Sequence, residues 1–145
     1  MKRAMSIIAL SALACPLPAL AWLGGDAASV EADRQQMNAT VVTAPAGTHT
    51  RYELHTPSGT VVTEYLAPSG LVFAIVWKGP ALPDLRQALG PYFPRYVAAA
   101  TQGPGQRVVE QADFVIYAGG HMRAFLGRAY LPQSLPQGMS VEDIR

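Results

Sequence analysis

The chain is poor in the residues that most chemistry needs. It has one cysteine, Cys15, and three histidines, and charged residues make up only 14% of its 145 positions. The cysteine falls in the leader-like start, so the remainder has no disulfide and no thiol chemistry, and burial of apolar surface must hold the fold. His49 and His55 lie on one strand-like stretch. At about 3.3 Å per residue they stand roughly 20 Å apart, too far to share a metal. No H-x-x-x-H or C-x-x-C spacing occurs, so no metal and no other cofactor is expected. There is no G-x-S-x-G elbow, and Gly24-Gly25 and Gly119-Gly120 are too short for a phosphate-cradling loop. No long charge run gives the basic face that an electrostatic nucleic-acid binder needs to displace counterions, so nucleic acid is excluded as a partner.

What is present begins with an export signal. Lys2 and Arg3 precede an almost purely apolar run, Ala4 to Ala14, which is too short to cross a bilayer and right for a signal sequence. Pro16 and Pro18 end that run, and Ala19-Leu20-Ala21 offers the small side chains of a peptidase site. Residues 1–21 are therefore expected to be a cleaved signal peptide and 22–145 a single exported domain, periplasmic, with no transmembrane segment. The minor alternative is a lipoprotein: Ser11-Ala12-Leu13-Ala14-Cys15 is similar to a lipidation signal, with Ala12 where leucine is usual. Without Lys2 and Arg3, nine basic residues face ten acidic ones, so the mature chain is close to neutral.

The pattern beyond the leader is α+β: an antiparallel sheet of about five strands, with an N-terminal helix and one or two short central helices. Asp26 can cap a thin amphipathic helix reaching Met37, with Ala27, Val30, Arg34 and Met37 near one face and Asp33 off it. Val41 and Val42 can begin a strand. The repeated turns Pro57-Ser58-Gly59 and Pro68-Ser69-Gly70 define a three-stranded meander, with Thr56 opposite Thr60 and Ala67 opposite Leu71. That register puts His55, Val61 and Trp77 on one rung and aligns Leu54, Val62 and Val76 on the other face. Arg51, Glu53 and His55 then share a face of a strand that reads as an edge. Leu82, Leu85 and Leu89 suit a short helix ending at Gly90, and a second follows over Tyr92 to Ala100 with Phe93, Tyr96, Val97 and Ala100 inward. A C-terminal hairpin, Arg107 to Tyr117 and His121 to Tyr130, is expected to turn at Gly119-Gly120. From Pro132 an extended tail should lie across the domain.

Several blocks are distinctive together: Leu23-Gly24-Gly25-Asp26, Pro57-Ser58-Gly59 through Glu64-Tyr65, Gly70 through Trp77-Lys78-Gly79-Pro80, Pro83-Asp84-Leu85 through Tyr92-Phe93, and Gly120-His121-Met122-Arg123 through Tyr130-Leu131-Pro132. They resemble a family of small exported proteobacterial proteins of unknown function. The resemblance implies an envelope location and carries no catalytic residues with it.

Three places remain for function. His121 and Arg123, placed just after the expected glycine turn, share a face and can present a cationic anchor to a small anionic ligand or to an envelope protein partner. Arg128 points the other way and has Asp113 as a diagonal neighbour, which makes a structural ion pair. The face with Arg51, Glu53 and His55 is a second polar surface. The reading is a non-enzymatic periplasmic binding or accessory module. The alternative is a small cell-envelope hydrolase in which His55 or His121 works with a carboxylate; no catalytic residue is assigned.

Overall fold

The computed structural model describes residues 22–145; the expected signal peptide and Cys15 lie outside the described residues. The first element is α1 (Ala27–Gln36), capped by Asp26, whose side chain accepts from the Ser29 amide at 3.0 Å. A meander follows: β1 (Thr40–Pro45), β2 (Thr50–His55), β3 (Val61–Leu66) and β4 (Val72–Gly79). The chain then crosses one face of the sheet through two short helices, α2 (Leu85–Leu89) and α3 (Phe93–Ala98), joined by a single 3-10 turn. It enters the far edge as β5 (Arg107–Glu110) and returns through β6 (Val115–His121) and β7 (Ala124–Tyr130). All pairings are antiparallel, and the strand order is β1-β2-β3-β4-β7-β6-β5.

The class is α+β with an antiparallel sheet, as expected, but the sheet has seven strands, not about five. The first extra strand is β1. It covers the outer side of β2, so the strand bearing Arg51, Glu53 and His55 is not an edge. The second arises because Gln111 to Phe114 make a turn, closed by Gln111 N–H to Phe114 O at 2.9 Å, which splits Arg107 to Tyr117 into β5 and β6.

Both proline–serine–glycine turns form. Thr56 N–H bonds Thr60 O at 2.9 Å and Ala67 N–H bonds Leu71 O at 2.8 Å, with Gly59 and Gly70 both at φ 87°. After the second turn the register slips between Tyr65 and Leu66, because Phe73 is an extra residue in a bulge. The shift exchanges faces along β4, since side chains alternate with period two. Lys78, not Trp77, stands on the rung of His55 and Val61; Trp77 joins Leu54 and Val62, and Val76 crosses to the side of Thr63.

One side of the sheet, the helix side, buries Leu54, Val62, Ile75, Trp77, Ile116 and Ala129 beneath Val30 of α1 and Leu85, Ala88 and Leu89 of α2. Leu23 is sealed into this layer, its amide bonding Ala88 O at 2.9 Å. Removing each such large apolar side chain from water contributes about 1.5–3 kcal/mol. Leu82, Val97 and Ala100, expected inward, are exposed instead: Leu82 precedes the cap Asp84, and from this segment it is Phe93 and Tyr96 that pack against the core. The opposite side, the tail side, buries Tyr65, Phe73, Ala74, Val115 and Tyr130 under the C-terminal segment, through Leu135, Met139, Val141 and Ile144. The Tyr65 hydroxyl fixes the end of that segment, donating to Arg145 O at 2.6 Å and accepting from Arg145 N–H at 3.1 Å. Among the described residues no helix is long and apolar enough to cross a membrane.

Candidate functional site

The C-terminal segment covers only part of the tail side. Along β4, β7 and β6 the rung of Lys78, Leu126 and Gly119 remains uncovered, and the next, Val76, Arg128 and Tyr117, is only partly covered. The alternation that buries Ile75, Trp77 and Ala129 on the helix side turns these residues the other way. Between them and Ile144 and Arg145 of the tail is a depression of about 480 Å³. Two smaller ones adjoin it. One, of about 260 Å³, runs past Lys78 to Pro80, Arg123 and Phe125; the other, of about 200 Å³, runs past Tyr117 to Val108, Ala118 and Gln106. All three share Leu126, which is 59% exposed although it lies in a central strand.

The rim of this trench is cationic. The Arg128 guanidinium lies over the Tyr117 ring, 5.1 Å from its centroid, and reaches Val141 O at 3.5 Å. Such stacking holds the cation in place and leaves donors free for an anion. Among the described residues Lys78, Arg123, Arg128 and Arg145 form no ion pair. Of the nearby carboxylates, Glu110 accepts from the Tyr117 hydroxyl and Asp143 from the Ser140 amide; both keep their charge, and neither lines the trench.

A second unusual arrangement lies on the helix side. Glu64, on β3 between Tyr52 and Ile75, is 1% exposed, and Asp33 of α1 is fully buried against it. Asp33 Oδ1 accepts a hydrogen bond from Gln87 Nε2 of α2. Asp33 Oδ2 and both Glu64 oxygens have no donor among the described residues. A proton held between the two carboxyls would join one oxygen of each and leave one Glu64 oxygen without a partner. Burial, with Gln87 and Glu64 bonding in the opposite sense and Asp84 adding its charge, pushes Asp33 up to about 6. Burial first, then Asp33 itself, drives Glu64 well above the ordinary carboxylate range. A depression of about 370 Å³ outside Gln87 and Asp84 does not reach either carboxyl.

The structure relocates the residues singled out from sequence. His121 ends β6 opposite Ala124, and the turn is Met122-Arg123 rather than Gly119-Gly120. Both glycines lie within β6, and Gly120 is needed there, at φ 134° and with Ala124 O 2.4 Å from where a Cβ would stand. His121 and Arg123 are exposed at this tip but do not stand two apart on one strand, so the shared strand face expected of them is absent. The expected Asp113–Arg128 pair does not form. Asp113 belongs to the β5–β6 turn beside α3, where Arg95 binds it at 2.9 Å and holds its carboxyl below the usual range, while Arg128 faces the tail side. Arg51, Glu53 and His55 share the tail side, with Arg51 to Glu53 at 3.0 Å and Glu53 to His55 at 3.6 Å. Among the described residues no group of three or more His, Cys, Asp or Glu is placed to hold a metal ion.

A family model described as a protein of unknown function, DUF2844, matches residues 19–144. The chain belongs to this family. No curated protein and no solved structure matches it. Within this DUF2844 chain, sequence reasoning missed Asp33 and the whole trench. Asp33 was legible in principle, since Val30, Asp33 and Met37 follow the spacing of a buried helical stripe. The trench was not: the bulge at Phe73 decides that Val76 and Lys78 face it, and only the path of the tail decides that it stays open.

Proposed function

We propose that the protein is an exported, non-enzymatic binding or accessory module of the proteobacterial periplasm, and that the open part of the tail side is its working surface. The observation that supports this reading is Leu126, a large apolar residue in a central strand, left exposed at the junction of three depressions while the C-terminal segment seals the sheet beside it. An uncovered apolar patch in a concave setting marks a place where something else binds. Export is supported by the n-region, the short apolar run and the Ala19-Leu20-Ala21 site.

The test has two parts. Amino-terminal sequencing of envelope-fraction protein is expected to begin Trp22-Leu23-Gly24; a full-length cytoplasmic product overturns the location, and a lipid-modified Cys15 replaces it with membrane anchoring. A photo-crosslinking residue at position 126 is expected to capture a ligand or partner in the envelope that one at exposed Gln35 does not. Equal capture at both positions removes the trench as the working surface. A hydrolase remains the second reading, favoured by Glu53 and His55 at 3.6 Å. It requires turnover of an ester or amide substrate that His55→Ala abolishes.

A further inference from the structure

The trench combines two recognition chemistries in one place. Its apolar lining includes Val76, Leu126 and Tyr117. It is also long. From Gly79 past Leu126 to Val108 it crosses β4, β7, β6 and β5, roughly 14 Å at about 4.8 Å between strands. A volume of about 480 Å³ in its main part is within the range of small-molecule sites. Among the described residues, the charged side chains that line it are all cationic. Arg123 stands at the Pro80 end, Lys78 where the two depressions meet, and Arg128 and Arg145 along the side next to Ile144; none forms an ion pair among the described residues. Floor and rim thus match a molecule with a flexible apolar chain and an anionic head.

We propose that the trench binds a single-chain amphiphile whose head is a carboxylate or a phosphate; the proposal rests on the reading of this face as the working surface. The chain lies along Leu126 and Val76 and removes both from water, while the head takes the donors of Arg128, whose planar fork matches either oxyanion. Lys78 adds charge without geometric demand, so it contributes through a field that salt screens. Free fatty acids and lyso-phospholipids both have this chemistry.

Calorimetric titration of the purified protein with dodecanoate, dodecyl phosphate and dodecyltrimethylammonium, all below their micellar concentrations, tests it. The two anionic chains are expected to bind and the cationic one to bind at least tenfold more weakly. Butyrate and inorganic phosphate, which lack the chain, should not bind. Leu126→Asp is expected to weaken dodecanoate at least tenfold and Lys78→Glu several-fold, the latter loss shrinking in high salt; both side chains are exposed, so circular dichroism of each variant should match the parent. The relative affinity of dodecanoate and dodecyl phosphate separates the fatty-acid source from the phospholipid one. Equal binding of the cationic chain, or no binding of any chain to folded protein, overturns the proposal. If no chain binds and the crosslinker at position 126 captures a protein, the working surface stands and its ligand is a protein partner. If no chain binds and that crosslinker captures nothing beyond the Gln35 control, both readings fall.

Discussion

Asp33 and Glu64 face each other inside the core, and the Gln87 amide is the one donor either receives among the described residues. Two buried carboxylates this close repel, and each lacks the water that would stabilise its charge. A single retained proton removes the repulsion, because the protonated carboxyl donates to the ionised one. The pair joins α1 to the middle of the sheet while α2 holds it from the side, so its protonation state bears on how firmly the helix layer sits.

The pH dependence follows from the directions. Both carboxyls bind protons more tightly folded than unfolded. Their contribution is therefore complete below the unfolded values near 4 and is lost as pH rises through the folded ones. For Asp33 that window runs from 3.8 to about 6, equivalent to on the order of 3 kcal/mol, and Glu64 extends it upward. Urea midpoints should fall between pH 5 and pH 8. Glu64→Gln, which has no proton to lose and can still donate to Asp33, is expected to flatten that slope and to exceed the parent in stability at pH 8. Parallel slopes for parent and variant would mean that the carboxyls do not share a proton.

Trp77 and Gly127 are paired across β4 and β7, and the indole lies directly over the glycine. A Cβ at position 127 would meet the ring at 2.2 Å, so glycine here serves close approach to a side chain. Gly127→Ala must displace the largest fully buried side chain of the core. The expected cost is about 1–3 kcal/mol in urea melts, with a weakened near-ultraviolet signal from the indole. An unchanged near-ultraviolet spectrum would show that the ring is not held there.

What the sequence revealed and what it hid divide by range. Caps and turns are local, and Asp26 and both proline–serine–glycine turns are placed as their chemistry dictates. One residue inserted by a bulge is not local: Phe73 alone moves Trp77, Val76 and Lys78 across the sheet. Gly119-Gly120 misled because two constraints favour glycine. A turn uses its positive φ, and a crowded strand uses its missing Cβ; Gly120 meets both, at φ 134° and with Ala124 O 2.4 Å from an added Cβ, yet lies inside β6. The cationic trench follows from three such nonlocal facts, namely the bulge, the displaced turn and the course of the tail, so no single stretch of sequence announces it.

The turns make a paired prediction. Gly59 and Gly70 at φ 87° occupy the left-handed region, where a β-branched side chain clashes with its own backbone. Valine at either position is expected to cost on the order of 1–2 kcal/mol.

Arg123 is the converse case. It occupies the Met122-Arg123 turn at φ 65°, a conformation that a non-glycine residue reaches at a cost of about 1–2 kcal/mol. Glycine removes that strain but adds freedom to the unfolded chain, which returns part of the gain. Arg123→Gly is therefore expected to stabilise by about 0.5–1 kcal/mol in urea melts. The same variant removes one cation from the end of the trench near Pro80. If Arg123 is kept at this tip for binding, the variant will be more stable and will hold dodecanoate more weakly, with the difference closing at high salt. A variant that gains stability and keeps full affinity would confine the anionic contact to Arg128, Lys78 and Arg145. One that loses stability would show that the Arg123 side chain makes a contact at the turn worth more than the strain it carries.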